Sequence, residues 1–340
     1  MNSKRRPLLS SAAATHLETR QRQRYSALLR SFFIALSTNS GLRSFSEKSS
    51  LGRKMSSRFV AGMTVEEALV AAANLNREGI AVSLDSLGES VNDEAHARHS
   101  AAIYHQLLDA IQSRSLNANV SVKLTQMGMD FDPALAESIV LEMVEHAAKA
   151  DSFVRVDMEG TPLTEATLQL VERIHTKLGL SGRVGAVLQS YLYRTEADTE
   201  RLLQQGIRIR LCKGAYKEGP EHAFPEKAAV DANYIKLASR MITYVHPDLK
   251  RPVFCGLATH DERIVDTMVR LVQQQGILKS AFEFQMLYGI RRDLQRRLVK
   301  EGFGVRVYIP FGTEWYPYFM RRLAERPANV LFLAKNFFKS

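Results

Sequence analysis

Along this chain, short apolar runs rich in β-branched residues alternate with longer stretches of helical periodicity. Each run ends in polar side chains. The runs are IAVSLD (80–85), NVSVKL (119–124), FVRVDME (153–159), VGAVLQS (184–190), IRIRLCKG (207–214), PVFCGLATH (252–260), AFEFQ (281–285) and VRVYIPFG (305–312). Strands of a parallel sheet are covered on both faces, so they read as near-continuous Val/Ile/Leu runs. Helical stretches fall at 63–79, 93–114, 132–150, 161–179, 195–206, 227–245, 261–276, 290–302 and 314–327. Thr64 followed by Glu67 forms a capping box, Asp132 precedes Pro133 at a helix start, and Gly79, Gly179, Gly206, Gly276 and Gly302 close helices. This rhythm predicts an α/β fold, a TIM-like (βα)8 barrel over residues 55–340. In that fold the active site lies at the C-terminal strand ends. The residues to weigh there are Lys123, Asp157, Gln189, Arg210, Lys213, His260, Gln285 and Tyr308.

Charge separates the chain into two parts. Residues 1–60 hold twelve Lys/Arg and two acids, so they carry the whole formal charge of +10, and the other 280 residues hold 34 of each sign. Residues 1–54 read as a basic extension, partly helical or disordered, with a weak period through Leu28, Leu29, Phe32, Phe33 and Leu36. Such a block is a solvated tail or a surface for anionic membrane or nucleic acid. Its Arg/Ser-rich, acid-poor start also resembles a transit peptide. No apolar run reaches the ~20 residues that span a bilayer, and SFFIALS (31–37) is far shorter. Cys212 and Cys255 both fall in predicted strands and read as small buried hydrophobes in a reducing compartment.

Several residues suit chemistry. Lys123 at the end of the second strand is an anion holder or a Schiff-base former, or simply a lysine reaching out of the barrel mouth. Asp157 and Glu159 lie two apart and face the same way along the third strand. Asp157 suits a general base or the orientation of an amine, whereas Glu159 sits at the loop, where a neighbouring Arg would pair with it. His96, His99 and His105 read as a solvated helix face. RLCKGAY (210–216) is the strongest local motif: an Arg and a Lys flank a strand end, and Gly and Ala then let a large ligand approach the backbone. It is neither GxxxxGK[ST] nor GxGxxG. In YPYFMRRLAE (316–325), Tyr318, Arg321, Arg322 and Glu325 share one helix face, so two guanidiniums form a clamp for a carboxylate or phosphate.

SVKL, RVDME, LQSYL, RIRLCKGAY, ATH, EFQMLYG, YIPFG and YFMRRLAE occur in this order across roughly 55–335. Together they resemble the proline dehydrogenase family. The resemblance implies a distorted (βα)8 barrel with an N-terminal helical extension and FAD at the strand C-termini. It implies oxidation of L-proline to 1-pyrroline-5-carboxylate by hydride transfer from C5 to the flavin N5, the first step of proline degradation to glutamate. Electrons would pass to a quinone at the membrane. Lys123, Arg321 and Arg322 would bind the substrate carboxylate, and Tyr308, Tyr318 and Leu287 would pack the ring. Asp157 and Arg210 would be catalytic. Met158, Gln189, Arg210, Lys213, Gly214, Ala215, Lys227, Thr259 and His260 would hold FAD, and Glu89 would gate the site by pairing with the first arginine.

Tyr308 would pack on proline C4 and exclude hydroxyproline, and Cys212 replaces a more usual Val. A fixed carboxylate aims the reacting carbon, so orientation supplies much of the rate. No aldehyde dehydrogenase domain follows, so 1-pyrroline-5-carboxylate dehydrogenase would be a separate chain, and no nucleic-acid partner is implied. The expected place is the cytoplasm, peripheral at the inner face of the membrane, or the matrix side of a mitochondrion. Two rival readings remain on the same residues. One is a Schiff-base aldolase using Lys123 or Lys213. The other is a non-enzymatic barrel that binds through its basic head.

Overall fold

A computed structural model describes residues 57–88, 90–177 and 179–325, with side chains through residue 320. By compactness the chain divides into Arg58–Thr313 and a second unit formed by Met1–Ser57 and Glu314–Ser340. The expected helical extension at 1–54 lies outside the described residues.

Arg58–Thr313 alternates helix and strand throughout. In order come α1 (Val65–Arg77), β1 (Ala81–Ser86), α2 (Glu94–Ser113), β2 (Ala118–Val122), α3 (Pro133–Lys149), β3 (Val154–Val156), α4 (Thr161–His175) and β4 (Val184–Gln189). Then come α5 (Thr195–Gln204), β5 (Arg208–Cys212), α6 (Lys227–Thr243), β6 (Cys255–Ala258), α7 (Glu262–Gln275), β7 (Phe282–Leu287), α8 (Arg292–Lys300) and β8 (Gly304–Phe311). The eight strands form a closed parallel barrel in which each pairs with its neighbours in the sequence. β8 closes it against β1, from Ala81 opposite Arg306 to Ser86 opposite Phe311. The core is continuous, from Ala68 and Leu69 of α1 through the strands to Phe311. In the second unit, α9 (Trp315–Glu325) carries Trp315 edge-on to Tyr316 and Phe319.

Local chemistry fixes the helix starts. Thr64 and Glu67 form both halves of the capping box on α1. The Asp132 side chain accepts from the backbone N–H of Ala134 and Leu135. α4 starts at Gly160, which has no side chain to cap it. Glu218, from the loop after β5, does so instead: its carboxylate accepts from Thr161 N at 3.0 Å and from the Thr161 hydroxyl at 2.5 Å.

β3 and β6 cover less than half of their runs. β3 stops at Val156 because, after Asp157 N donates to Val122 O, the chain leaves the ladder. β6 begins only at Cys255, because Arg251–Pro252 pairs antiparallel with Val245–His246. That ribbon also ends α6 at Thr243, before the expected 245.

The barrel interior is strongly polar. Arg306 donates to Glu283 at 2.6 Å, Gln285 donates to the same carboxylate at 2.6 Å, and Arg210 Nε donates to Gln285 Oε1 at 2.5 Å. On the other side Arg210 donates to Ser83 at 3.2 Å, Ser83 donates to Asn119 at 2.6 Å, and Arg306 donates to Asn119 at 3.0 Å. These bonds close a ring of six buried residues from β1, β2, β5, β7 and β8. Charges removed from water persist only when paired and hydrogen-bonded in this way.

Cys212 and Cys255 are free, and burial pushes both thiols up to about 12. The histidine face is not uniformly solvated. His96 and His99 are exposed, but His105 is half-buried with its Nδ1 2.8 Å from His146 Nδ1, because α3 packs alongside. Among the described residues no helix is long and apolar enough to cross a membrane.

Candidate active site

The C-terminal end of the barrel gathers charged residues from four strands. Lys123 follows β2, and its Nζ donates to Asp85 Oδ1 of β1 at 2.8 Å and reaches Tyr308 Oη of β8 at 3.5 Å. The Tyr308 hydroxyl donates to Asp157 Oδ2 at 2.8 Å. Arg210 Nη1 donates to Asp157 Oδ1 at 2.8 Å, and its guanidinium lies 5.3 Å from the Tyr308 ring centroid. Asp157 therefore spends both oxygens on Tyr308 and Arg210.

Electrostatics follow from burial. The Asp85 carboxyl is pushed up by burial more than Lys123 pulls it down, and Asp157 adds to the rise. Burial pulls Lys123 down, but the carboxylates of Asp85 and Asp157 outweigh it, so its ammonium is held above the usual lysine range. Burial also drives the Tyr308 hydroxyl well above its ordinary value, with Asp157 and Asp85 adding to the effect.

A second arc runs over β4, β5 and β6. Gln189 is buried and donates to Glu159 O at 3.0 Å. Arg210 directs N–H groups to Gln285, Asp157, Ser83 and Ser121, so four of its five donors have partners among the described residues. Lys213 bonds Asp231 at 2.5 Å and Asp261 at 3.0 Å, and Lys227 bonds Asp231 as well. Gly214 has φ +114°, and a Cβ there would fall 2.3 Å from the Tyr191 ring, so only glycine fits. Ala215 is exposed and Met158 buried. Thr259 accepts from Asp261 N, and His260 Nε2 accepts from Leu287 N at 2.9 Å, which places the proton of the neutral ring on Nδ1.

Among the described residues no arginine bonds Glu159. It accepts from Thr125 N at 3.1 Å and the Thr125 hydroxyl at 2.8 Å, because the turn after β2 folds over it. Burial raises its carboxyl despite those bonds. Tyr318, Arg321 and Arg322 lie on α9, but the arginine side chains, like Glu89, are outside the described residues. Asp85 was missed in the sequence. Its only signal there is its place at the end of IAVSLD.

Residues 68–335 match the model of the family described as proline dehydrogenase. The chain is 41% identical over 290 residues to a proline dehydrogenase of Deinococcus radiodurans, covering 84% of this chain and 90% of that one. It is 38% identical over 312 residues to proline dehydrogenase 2 of Bacillus subtilis, covering 92% and 99%. The chain belongs to the proline dehydrogenase family.

A solved structure of proline utilization A from Bdellovibrio bacteriovorus, inactivated by N-propargylglycine, superposes with a TM-score of 0.75 at 23% identity. It covers 88% of this chain, which spans 36% of that much longer one, and at such identity the likeness speaks to fold alone. The activity is accordingly that of a proline dehydrogenase, an oxidoreductase of proline catabolism. Family membership removes the non-enzymatic reading. It also removes the aldolase reading, and the site agrees: a Schiff-base lysine needs a depressed pKa, whereas Asp85 and Asp157 hold Lys123 charged.

Proposed function

We propose that this family member oxidises L-proline to 1-pyrroline-5-carboxylate with FAD as its cofactor and a membrane quinone as the final electron acceptor. The observation that supports this best is the continuous chain Lys123–Tyr308–Asp157–Arg210 across the barrel mouth. It puts a carboxylate-binding cation at one end and a guanidinium suited to an electron-accepting ring at the other.

The donor set fits FAD. Lys213 and Lys227 meet at Asp231, Lys213 also bonds Asp261 next to His260, and Gly214 shapes the turn that leads to the exposed Ala215. Gln189, Met158 and Thr259 complete that arc. When bound, FAD supplies the acceptor for the hydride that leaves proline.

The remaining work falls to the chain itself. Lys123 fixes the substrate carboxylate by charge-assisted hydrogen bonds. Tyr308 and Leu287 pack the apolar ring, and a hydroxyl on C4 would meet the Tyr308 ring. Asp157, with both oxygens engaged, orients Tyr308 and Arg210. Arg210 offers positive charge where negative charge builds up on the acceptor.

The enzyme works in the cytoplasm or a mitochondrial matrix, peripheral to the membrane that holds its quinone. The test is to denature the purified protein, identify the released cofactor by chromatography, and assay proline turnover with a soluble quinone. Released FAD with quinone-dependent turnover is expected. Turnover by flavin-free protein, or turnover indifferent to quinone, would overturn the corresponding part of the proposal.

A further inference from the structure

Asp85 is 1% exposed at its side chain, yet it meets Lys123 in a 2.8 Å ion pair. A buried carboxylate is costly and persists only with a partner of this kind. The Lys123 side chain is 24% exposed, so part of it reaches the barrel mouth. Three N–H donors radiate from an ammonium. Asp85 takes one and the Tyr308 hydroxyl lies 3.5 Å away, so the direction of the remainder is set by Asp85.

Among the described residues, the charged and titratable groups facing Lys123 are Asp85 on β1, Asp157 after β3, Tyr308 on β8, Tyr216 in the loop after β5 and Glu159 in the turn after β3. Asp157 already has Arg210 as its partner. Asp85 is therefore the counter-charge that belongs to Lys123.

We infer that Asp85 is a positioning residue for substrate: it aims the Lys123 ammonium at the substrate carboxylate and supplies its counter-charge inside the barrel. The inference rests on the reading of Lys123 as a carboxylate binder. Without Asp85, burial is the largest influence on Lys123 and acts to discharge it.

The test uses the full-length, FAD-loaded enzyme and cyclopentanecarboxylate as the probe. This compound keeps the ring and carboxylate but has no amine, so its own charge is constant above neutral pH. Its inhibition constant against L-proline is measured from pH 7 to 10 in wild type, Asp85→Asn, Asp85→Glu and Lys123→Met. The wild-type constant should stay flat. In Asp85→Asn it should climb by up to about tenfold per pH unit as a single proton leaves the lysine. Asp85→Glu restores the charge and should restore the flat profile. Lys123→Met should bind weakly at every pH.

A flat profile for Asp85→Asn beside a weak Lys123→Met overturns the inference and leaves the Lys123 reading intact. An unchanged constant in Lys123→Met overturns the Lys123 reading itself. If Asp85→Asn does not fold, wild type decides. Acetylation of Lys123 by acetic anhydride, followed by mass spectrometry, should stay slow through the pH range in which ordinary lysines react. Reaction at or below that range contradicts the inference.

Discussion

Replacing Gln285 by leucine cuts the polar ring inside the barrel beside the site. Two bonds disappear, the one accepted from Arg210 Nε at 2.5 Å and the one donated to Glu283 at 2.6 Å. Both partners are charged and buried. Hydrogen bonds to charged groups contribute about 1.5–3 kcal/mol each, so the loss is about 3–6 kcal/mol before any relaxation. Leucine is close in volume and apolar, which returns about 1 kcal/mol of burial.

A net loss of about 2–5 kcal/mol lowers the Tm by roughly 4–20 °C for a barrel of this size. Urea unfolding followed by circular dichroism would read it as a fall in the transition midpoint at constant slope. Arg210 is the residue released on the site side, so kcat for proline should fall as well, with a smaller effect on KM. Gln285→Glu is the informative control. It keeps an acceptor for Arg210 but sets a second carboxylate against Glu283, so one of the two must hold a proton. The shared proton raises the folded-state pKa of that pair, and stability present at low pH is lost as pH rises through it. Loss below about 1 kcal/mol in Gln285→Leu, with kcat unchanged, would refute the view that the ring holds Arg210 in place.

Other consequences are as concrete. Gly214→Ala forces a positive φ on alanine and drives its Cβ into Tyr191, so FAD retention on gel filtration should drop sharply, and full retention would contradict the tight turn. Tyr308→Ser should raise the relative kcat/KM for hydroxyproline, and no gain would remove Tyr308 from the specificity role. Burial and then the neighbouring His146 hold His105 below the ordinary histidine range. The stability it contributes is present above the unfolded histidine value and is lost as pH falls through the lowered folded value. His105→Gln should flatten the acid limb of a Tm–pH curve between pH 7 and 5, and an unchanged limb would show that His105 does not titrate with unfolding.

The eight strands were legible because parallel barrel strands are buried on both faces and need unbroken β-branched runs. Their ends were less so. β3 and β6 are cut short by pairings with Val122 and with Val245–His246, which lie far away in the chain or across a turn. The same limit applies to the site. Lys123 and Asp157 directly follow β2 and β3, where the rule of barrel geometry points, whereas Arg210 and Tyr308 lie within β5 and β8 and reach the mouth through their long side chains. Asp85 also ends a strand, but its meaning depends on a lysine 38 residues later. His105 departs from a solvated face for the same reason, since its partner His146 comes from a neighbouring helix that no local pattern names, and the Thr125 partner of Glu159 is equally out of local view. The ring through Gln285 draws on five strands, so no window of sequence contains it.

The most direct test of the whole account is the absorbance spectrum of the purified protein before and after anaerobic addition of L-proline. The account predicts an oxidised-flavin spectrum that bleaches with proline. Flavin that stays oxidised, or a protein that takes up no FAD when it is supplied, would contradict it.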